Sequence, residues 1–261
     1  MSANRRPLSS LLLVVTGLAL APSVHAALQD EVQVYTDDIN PPGAFSTEVH
    51  INATPRGVAL PAYAGEVGNH RGLRITPEFS WGLTRSVELG LYLPVTRTGD
   101  GTWYGAGVKF RLKWLPLQAG EQGGWFGGIN TELSQLKQPF SESARSVEVR
   151  TILGWKNAQW LLAVNPIFGW DISPGYRHHS PEFTVALKVA RRFTSASHWG
   201  FEYYNGVGRI NQRLPSASQE KSLFLAWDYE GKPLNFNFGI GRGLNSASDA
   251  WTIKTILDLP F

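Results

Sequence analysis

The chain has 261 residues, with 24 Lys and Arg against 21 Asp and Glu, and no cysteine. The missing cysteine excludes disulfides and thiolate metal sites. So small a net charge gives no case for a nucleic-acid partner.

At the N-terminus, Arg5 and Arg6 precede an apolar run from Leu11 to Ala21, then Pro22 and Val24-His25-Ala26. This order predicts a secretory signal peptide over 1–26, cleaved after Ala26. The apolar run is too short for a helix crossing ~30 Å of hydrocarbon, which takes roughly 20 residues. Without Arg5 and Arg6, 22 cations remain against 21 anions. Residues 27–43 are polar and end on the breaker Pro41-Pro42-Gly43. They predict a periplasmic N-terminal arm, which either enters the mouth of the following domain or stays a disordered tail.

From residue 44 onward the pattern has period two. Twelve segments alternate: 44–53, 73–81, 86–95, 103–115, 125–135, 145–155, 158–169, 182–193, 198–207, 220–229, 233–241 and 251–261. The clearest sets Val87, Leu89, Leu91, Leu93 and Val95 against Glu88, Gly90, Tyr92 and Pro94. Each has about the 9–11 residues with which a tilted strand crosses a bilayer. No mature stretch reaches 18 apolar residues and none holds a period of 3.6, which excludes helical spans. Lipid admits only helices or closed sheets, because every backbone group must be paired. Residues 44–261 therefore predict an all-β fold, a closed antiparallel transmembrane β-barrel of about twelve strands with both termini periplasmic. The inner turns would be 82–85, 116–124, 156–157, 194–197 and 230–232, all short but one. The outer loops would be 54–72, 96–102, 136–144, 171–181, 208–219 and 242–250. The last strand ends on an aromatic residue, Phe261, a form suited to barrel-assembly machinery.

Parity turns the polar set inward. The expected lumen-lining residues are Glu48, Arg74, Glu78, Glu88, Lys109, Arg111, Lys113, Glu132, Glu148, Arg150, Lys188, Glu202, Asp228 and Lys254, joined by His50, Arg192 and Asp258. Leu89, Leu91, Phe110, Val185, Phe236 and Leu257 would face lipid. Lys109, Arg111 and Lys113 form a basic ladder that would favour anionic solutes, unless Glu88 and Glu132 on neighbouring strands neutralise it. Tryptophan prefers the membrane–water interface. An inner girdle of Trp81, Trp114, Trp125, Trp155, Trp160, Trp199, Trp227 and Phe261 and an outer one of Trp103, Trp170 and Trp251 follow from the strand ends.

Chemistry is harder to find. His178-His179 has no third ligand nearby, too little for a metal site. Ser195 and His198 fall at an inner turn, the wrong side for lipopolysaccharide chemistry, and no His-x-Ser-Asn string of outer-membrane phospholipases occurs. No Gly-rich phosphate loop precedes a helix, so no catalytic residue, cofactor or metal is expected. The outer loops carry Arg56, Arg71, Arg97, Lys137, Arg177, Arg209, Arg213 and Arg242 against fewer acids, which suits lipopolysaccharide phosphates or ordinary solvated charge.

Several strings, among them Pro77-Glu-Phe-Ser-Trp-Gly-Leu-Thr, Val87-Glu-Leu-Gly-Leu-Tyr-Leu-Pro, Val108-Lys-Phe-Arg-Leu-Lys-Trp-Leu-Pro and Asn237-Phe-Gly-Ile-Gly-Arg-Gly-Leu, resemble the outer-membrane proteins of the meta-pathway phenol-degradation, or transporter-like, family. The resemblance covers nearly the whole mature chain. It implies an outer-membrane channel-like barrel admitting small aromatic or hydrophobic compounds, and it carries over no substrate-binding residue. Two functions stay open, passive or gated passage of small solutes and a non-conducting barrel with a salt-bridged lumen serving structure or docking; the remaining alternative, a lipid-modifying enzyme, is not the expected reading. All three place the chain in a Gram-negative outer membrane, with lipids and lipopolysaccharide as partners.

Overall fold

The computed structural model describes residues 31–232 and 234–259. The signal peptide, the first part of the arm, and Phe261 with its girdle role lie outside the described residues.

Fifteen strand segments form one antiparallel sheet: β1 Phe45–Arg56, β2 Gly72–Gly82, β3 Val87–Tyr92, β4 Val95–Arg97, β5 Trp103–Gly105, β6 Gly107–Leu117, β7 Gly124–Leu136, β8 Arg145–Lys156, β9 Trp160–Asp171, β10 Glu182–Thr194, β11 Ser197–Arg209, β12 Gln212–Arg213, β13 Glu220–Tyr229, β14 Asn235–Gly243 and β15 Trp251–Leu259. β3 with β4 and β5 with β6 each make one interrupted stave, and β12 is a spur on β11. Twelve staves remain. β1 pairs with both β2 and β15, so the sheet closes without an edge. A closed twelve-strand antiparallel barrel is the predicted architecture, and closure satisfies the backbone of every stave.

The interruptions have local causes. Pro77 and Pro94 lack an N–H and sit on neighbouring staves. The ladder breaks at Leu93-Pro94, where Leu93 N–H reaches Pro77 O at 3.0 Å. The other break falls at Ala106, just before Gly107, whose φ of 147° is open to glycine. The connections sort by length, with one exception. Residues 98–102 form a tight turn at the long-loop end, where the Asp100 carboxylate accepts from Thr102 N–H at 3.0 Å.

The barrel inverts the polarity of a soluble sheet. Phe110, Phe201 and Leu133 are more than half exposed on the outside, while Glu78, Glu132 and Lys254 are fully buried within. Trp81, Trp114, Trp125, Trp155, Trp160, Trp199 and Trp227 ring the end where β1 begins and β15 finishes; Trp103, Trp170 and Trp251 lie at the other. Phe45 stacks on Trp81 at 5.7 Å and Trp199 on Trp227 at 5.2 Å, both nearly parallel.

Leu91 sits on this outer face near mid-stave, paired with Phe79 and Phe110. Leu91→Arg is expected to lower the unfolding free energy in lipid vesicles by roughly 2–4 kcal/mol, the cost of a guanidinium near the midplane. Urea titration measures it; an unchanged midpoint and slope would count against this face meeting lipid.

Candidate functional site

The lumen is the only large polar interior among the described residues, and it is occupied. The arm does more than reach the mouth. Traced back from the turn at Pro41-Pro42-Gly43, held by Gly43 N–H to Gly82 O at 2.7 Å, it runs up inside the barrel. Glu31, Val32, Val34, Tyr35 and Thr36 are all buried.

The wall holds the arm through its backbone. Asn165 accepts from Tyr35 N–H at 2.6 Å and donates to Tyr35 O at 3.1 Å, imitating a strand partner. Lys254, Arg150 and Lys113 donate to the carbonyls of Val32 (2.9 Å), Gln33 (3.1 Å) and Asp38 (3.0 Å). Asn40 N–H donates to Glu88 at 2.7 Å, and Lys156 pairs with Asp37 at 2.8 Å. The Tyr35 ring lies 4.4 Å from the Arg150 guanidinium and 5.0 Å from the Lys113 ammonium, and its hydroxyl meets that of Tyr92 at 2.9 Å. Cations facing an aromatic ring add roughly 0.5–2 kcal/mol each when desolvated.

All fourteen residues expected in the lumen turn inward, seven basic and seven acidic. Twelve of them gather into three groups, and Glu48 lies beside His50. In the first, Arg111 bridges Glu78 at 2.6 Å and Glu88 at 2.5 Å and donates to Ser80, while Lys113 lies 3.5 Å from Glu88. In the second, Lys109 pairs with Glu132 at 2.5 Å and Arg150 with Glu148 at 3.0 Å. In the third, Lys188 meets Asp228 at 2.8 Å and Glu202 at 3.3 Å, Lys254 pairs with Glu202, and the Tyr204 hydroxyl donates to Glu202 at 2.6 Å. Arg74 stands apart, bonded to Thr96 at 2.9 Å beneath the Phe140 ring. Glycine makes room on the wall. Gly90 lies opposite Arg111, and Gly239 opposite Lys254; a methyl at either would sit within 3.0 Å of the charged side chain.

The basic ladder is thus neutralised by Glu78, Glu88 and Glu132. Of the further inward expectations, His50 is fully buried, whereas Arg192 and Asp258 lie near the rim where β15 ends. His178 and His179 stay exposed in a loop, where the His179 ring packs edge-on to Tyr176. His198 accepts from Arg192 at 3.0 Å.

Period-two reading missed the apolar part of the lumen. Leu115, Phe126, Ile152, Ile167, Tyr204 and Phe224 are buried inside and form one cluster with Val32, Val34 and Tyr35. The signal was present as lost alternation, in Trp125-Phe126, Ile152-Leu153 and Leu223-Phe224-Leu225.

Two cavities of about 130 and 160 Å³ adjoin the arm near Val32 and Gln33, sharing Thr184 and Tyr204. Both are small beside the several hundred Å³ of a ligand pocket. At the long-loop end, residues 57–71 and 137–144 clasp each other, with Tyr63 donating to Gln138 O at 2.8 Å and Val67 N–H to Pro139 O at 3.0 Å.

No family model matches the sequence, and no curated protein is similar to it. Among solved structures, an outer membrane channel from Pseudomonas putida F1 is similar with a TM-score of 0.57 at 11% identity, over 88% of this chain and 100% of that one. The KdgM porin is similar with a TM-score of 0.53 at 10% identity, over 83% of this chain and 99% of that one. Identity this low shows a shared fold, the outer-membrane type of β-barrel.

Proposed function

We propose that the protein is an outer-membrane channel for small solutes whose path is closed at rest by its own N-terminal arm. The observation that carries this reading is the arm itself. It fills the lumen without joining the sheet, held by polar contacts that water can replace and by the apolar cluster around Val32, Val34 and Tyr35. A barrel needing only a rigid polar core could fill it from the wall, without a separate peptide. The fold shared with a channel and a porin is consistent with passage, as is the resemblance to the phenol-degradation family. Tyr204 and Phe224 beside the cavities offer aromatic surface to solutes of that kind. The short-turn end, where the arm folds in, is assigned to the periplasm, and β15 to recognition by the assembly machinery. Arg242, 4.9 Å over the Trp251 ring at the opposite rim, suits contact with lipopolysaccharide phosphates.

Planar-bilayer recording tests the proposal. The intact protein is expected to rest closed and to open in brief, discrete steps. Silence at every voltage, both from the intact protein and from one lacking residues 31–40, would leave the non-conducting structural barrel as the better reading.

A further inference from the structure

We propose that Glu48, His50 and Glu78 bind one divalent transition-metal cation of the zinc type on the lumen wall. Glu48 and His50 lie two apart on β1 and share its inner face. Glu78 is directly opposite Glu48 on β2. His50 Nε2 stands 3.0 Å from Glu78 Oε2 and 3.7 Å from Glu48 Oε2, and one ligand atom from each residue falls within 4.8 Å of the others. A tetrahedral zinc with bonds of about 2.0–2.1 Å holds its ligand atoms roughly 3.3 Å apart. The cluster needs only small side-chain movements to meet that spacing.

Charge argues the same way. Two carboxylates directly across a strand pair repel. Arg111 engages the other oxygen of Glu78 at 2.6 Å, and among the described residues Glu48 has no cation but His50 within ion-pairing distance. A protonated His50 could direct its single Nε2–H at one carboxylate only. A cation between the three atoms serves both. Glu78 is oriented from behind, as a ligating carboxylate is, by Arg111 and by the Ser80 hydroxyl 2.9 Å from its Oε1, while the far ring nitrogen of His50, Nδ1, is buried without a partner among the described residues. The Thr76 hydroxyl, across from His50 and fully buried, has no hydrogen-bond partner among the described residues, and a metal-bound water would supply one. Calcium and magnesium prefer shells of oxygen alone, whereas an imidazole with two carboxylates selects zinc, nickel or copper. The Glu48 side chain is 30% exposed, which gives the ion access and leaves a position for water.

The experiment is calorimetric titration of ZnCl₂ into the folded, chelator-stripped protein in detergent, with heat-modifiable gel mobility as the check of folding. One saturable zinc per barrel is expected. Glu48→Gln should weaken it by at least about ten-fold, and His50→Asn should abolish it. Because His50 is fully buried, Glu48→Gln, at a partly exposed position, keeps the test independent of folding. Replacing both His178 and His179 by Ala should leave the titration unchanged. Absence of saturable binding, survival of binding in Glu48→Gln, or its loss in the loop double variant would each overturn the proposal.

Discussion

Arg111→Gln should cost the folded barrel about 3–5 kcal/mol, the penalty for removing one side of a buried ion group. The Arg111 side chain is 4% exposed and bridges Glu78 and Glu88, whose side chains are no more exposed than it is. Glutamine keeps the stem and part of the hydrogen bonding but leaves Glu88 opposed by Lys113 at 3.5 Å and Glu78 by His50 at 3.0 Å. Urea unfolding in lipid vesicles gives the number. Lys156→Gln supplies the contrast: its side chain is 36% exposed and pairs with Asp37 at the mouth, so its loss should cost less than about 1 kcal/mol. Adding Glu88→Gln to Arg111→Gln should restore part of the loss, because the second change removes the stranded charge. Equal costs for Arg111→Gln and Lys156→Gln would mean that lumen water screens the group. The ladder of Lys109, Arg111 and Lys113 would then regain its pull on anions.

The outer surface was legible because lipid imposes a strict period of two. Leu89, Leu91, Phe110 and Leu112 announce themselves against Glu88, Lys109 and Arg111, and tryptophans at strand ends mark where hydrocarbon stops. The lumen was less legible because its partner is not in the sheet. Phe126 and Phe224 look like errors of alternation until Val32 and Val34 are seen against the same wall. The sequence around Tyr35 alternates too briefly to show whether it joins a strand, hangs free or fills a pore. Pairings such as Lys254 with Glu202 depend on which rows meet across the lumen, something no single strand encodes. The same holds for the Glu48, His50 and Glu78 cluster, which exists only because β1 and β2 pair with Glu48 facing Glu78.

Deleting residues 31–40 should convert a resting, closed barrel into a lasting open one, with time-averaged conductance several-fold above that of the intact protein, whose brief steps reach the same size. Twelve strands at ~4.8 Å spacing and ~40° tilt give a backbone diameter of about 24 Å, and side chains from opposite walls leave at most ~12 Å. An extended chain occupies about 5 Å by 10 Å across its axis, so the arm takes most of that opening. The wall should survive the deletion. Lys254 keeps Glu202, Arg150 keeps Glu148 and Lys113 keeps Glu88, while water replaces the lost carbonyls. A milder variant separates release of the arm from its absence. Asn165→Leu removes both side-chain bonds to the Tyr35 backbone, worth about 1–3 kcal/mol for the groups left unpaired. That shifts the balance between arm-in and arm-out by roughly five- to 150-fold. Its openings should therefore be more frequent than in the intact protein and equal in size to those of the deletion. Ion selectivity gives the sharper check. The fourteen lumen groups are balanced, seven basic against seven acidic, and Lys156 adds one cation at the mouth, whereas Glu31, Asp37 and Asp38 of the arm are all acidic. With the arm gone, the reversal potential in a salt gradient should fall near zero, and the intact protein's openings should favour cations. A folded deletion variant that stays silent would show that the occlusion lies elsewhere, in the clasped outer loops or in the wall itself, and the arm would be a structural filler rather than a gate.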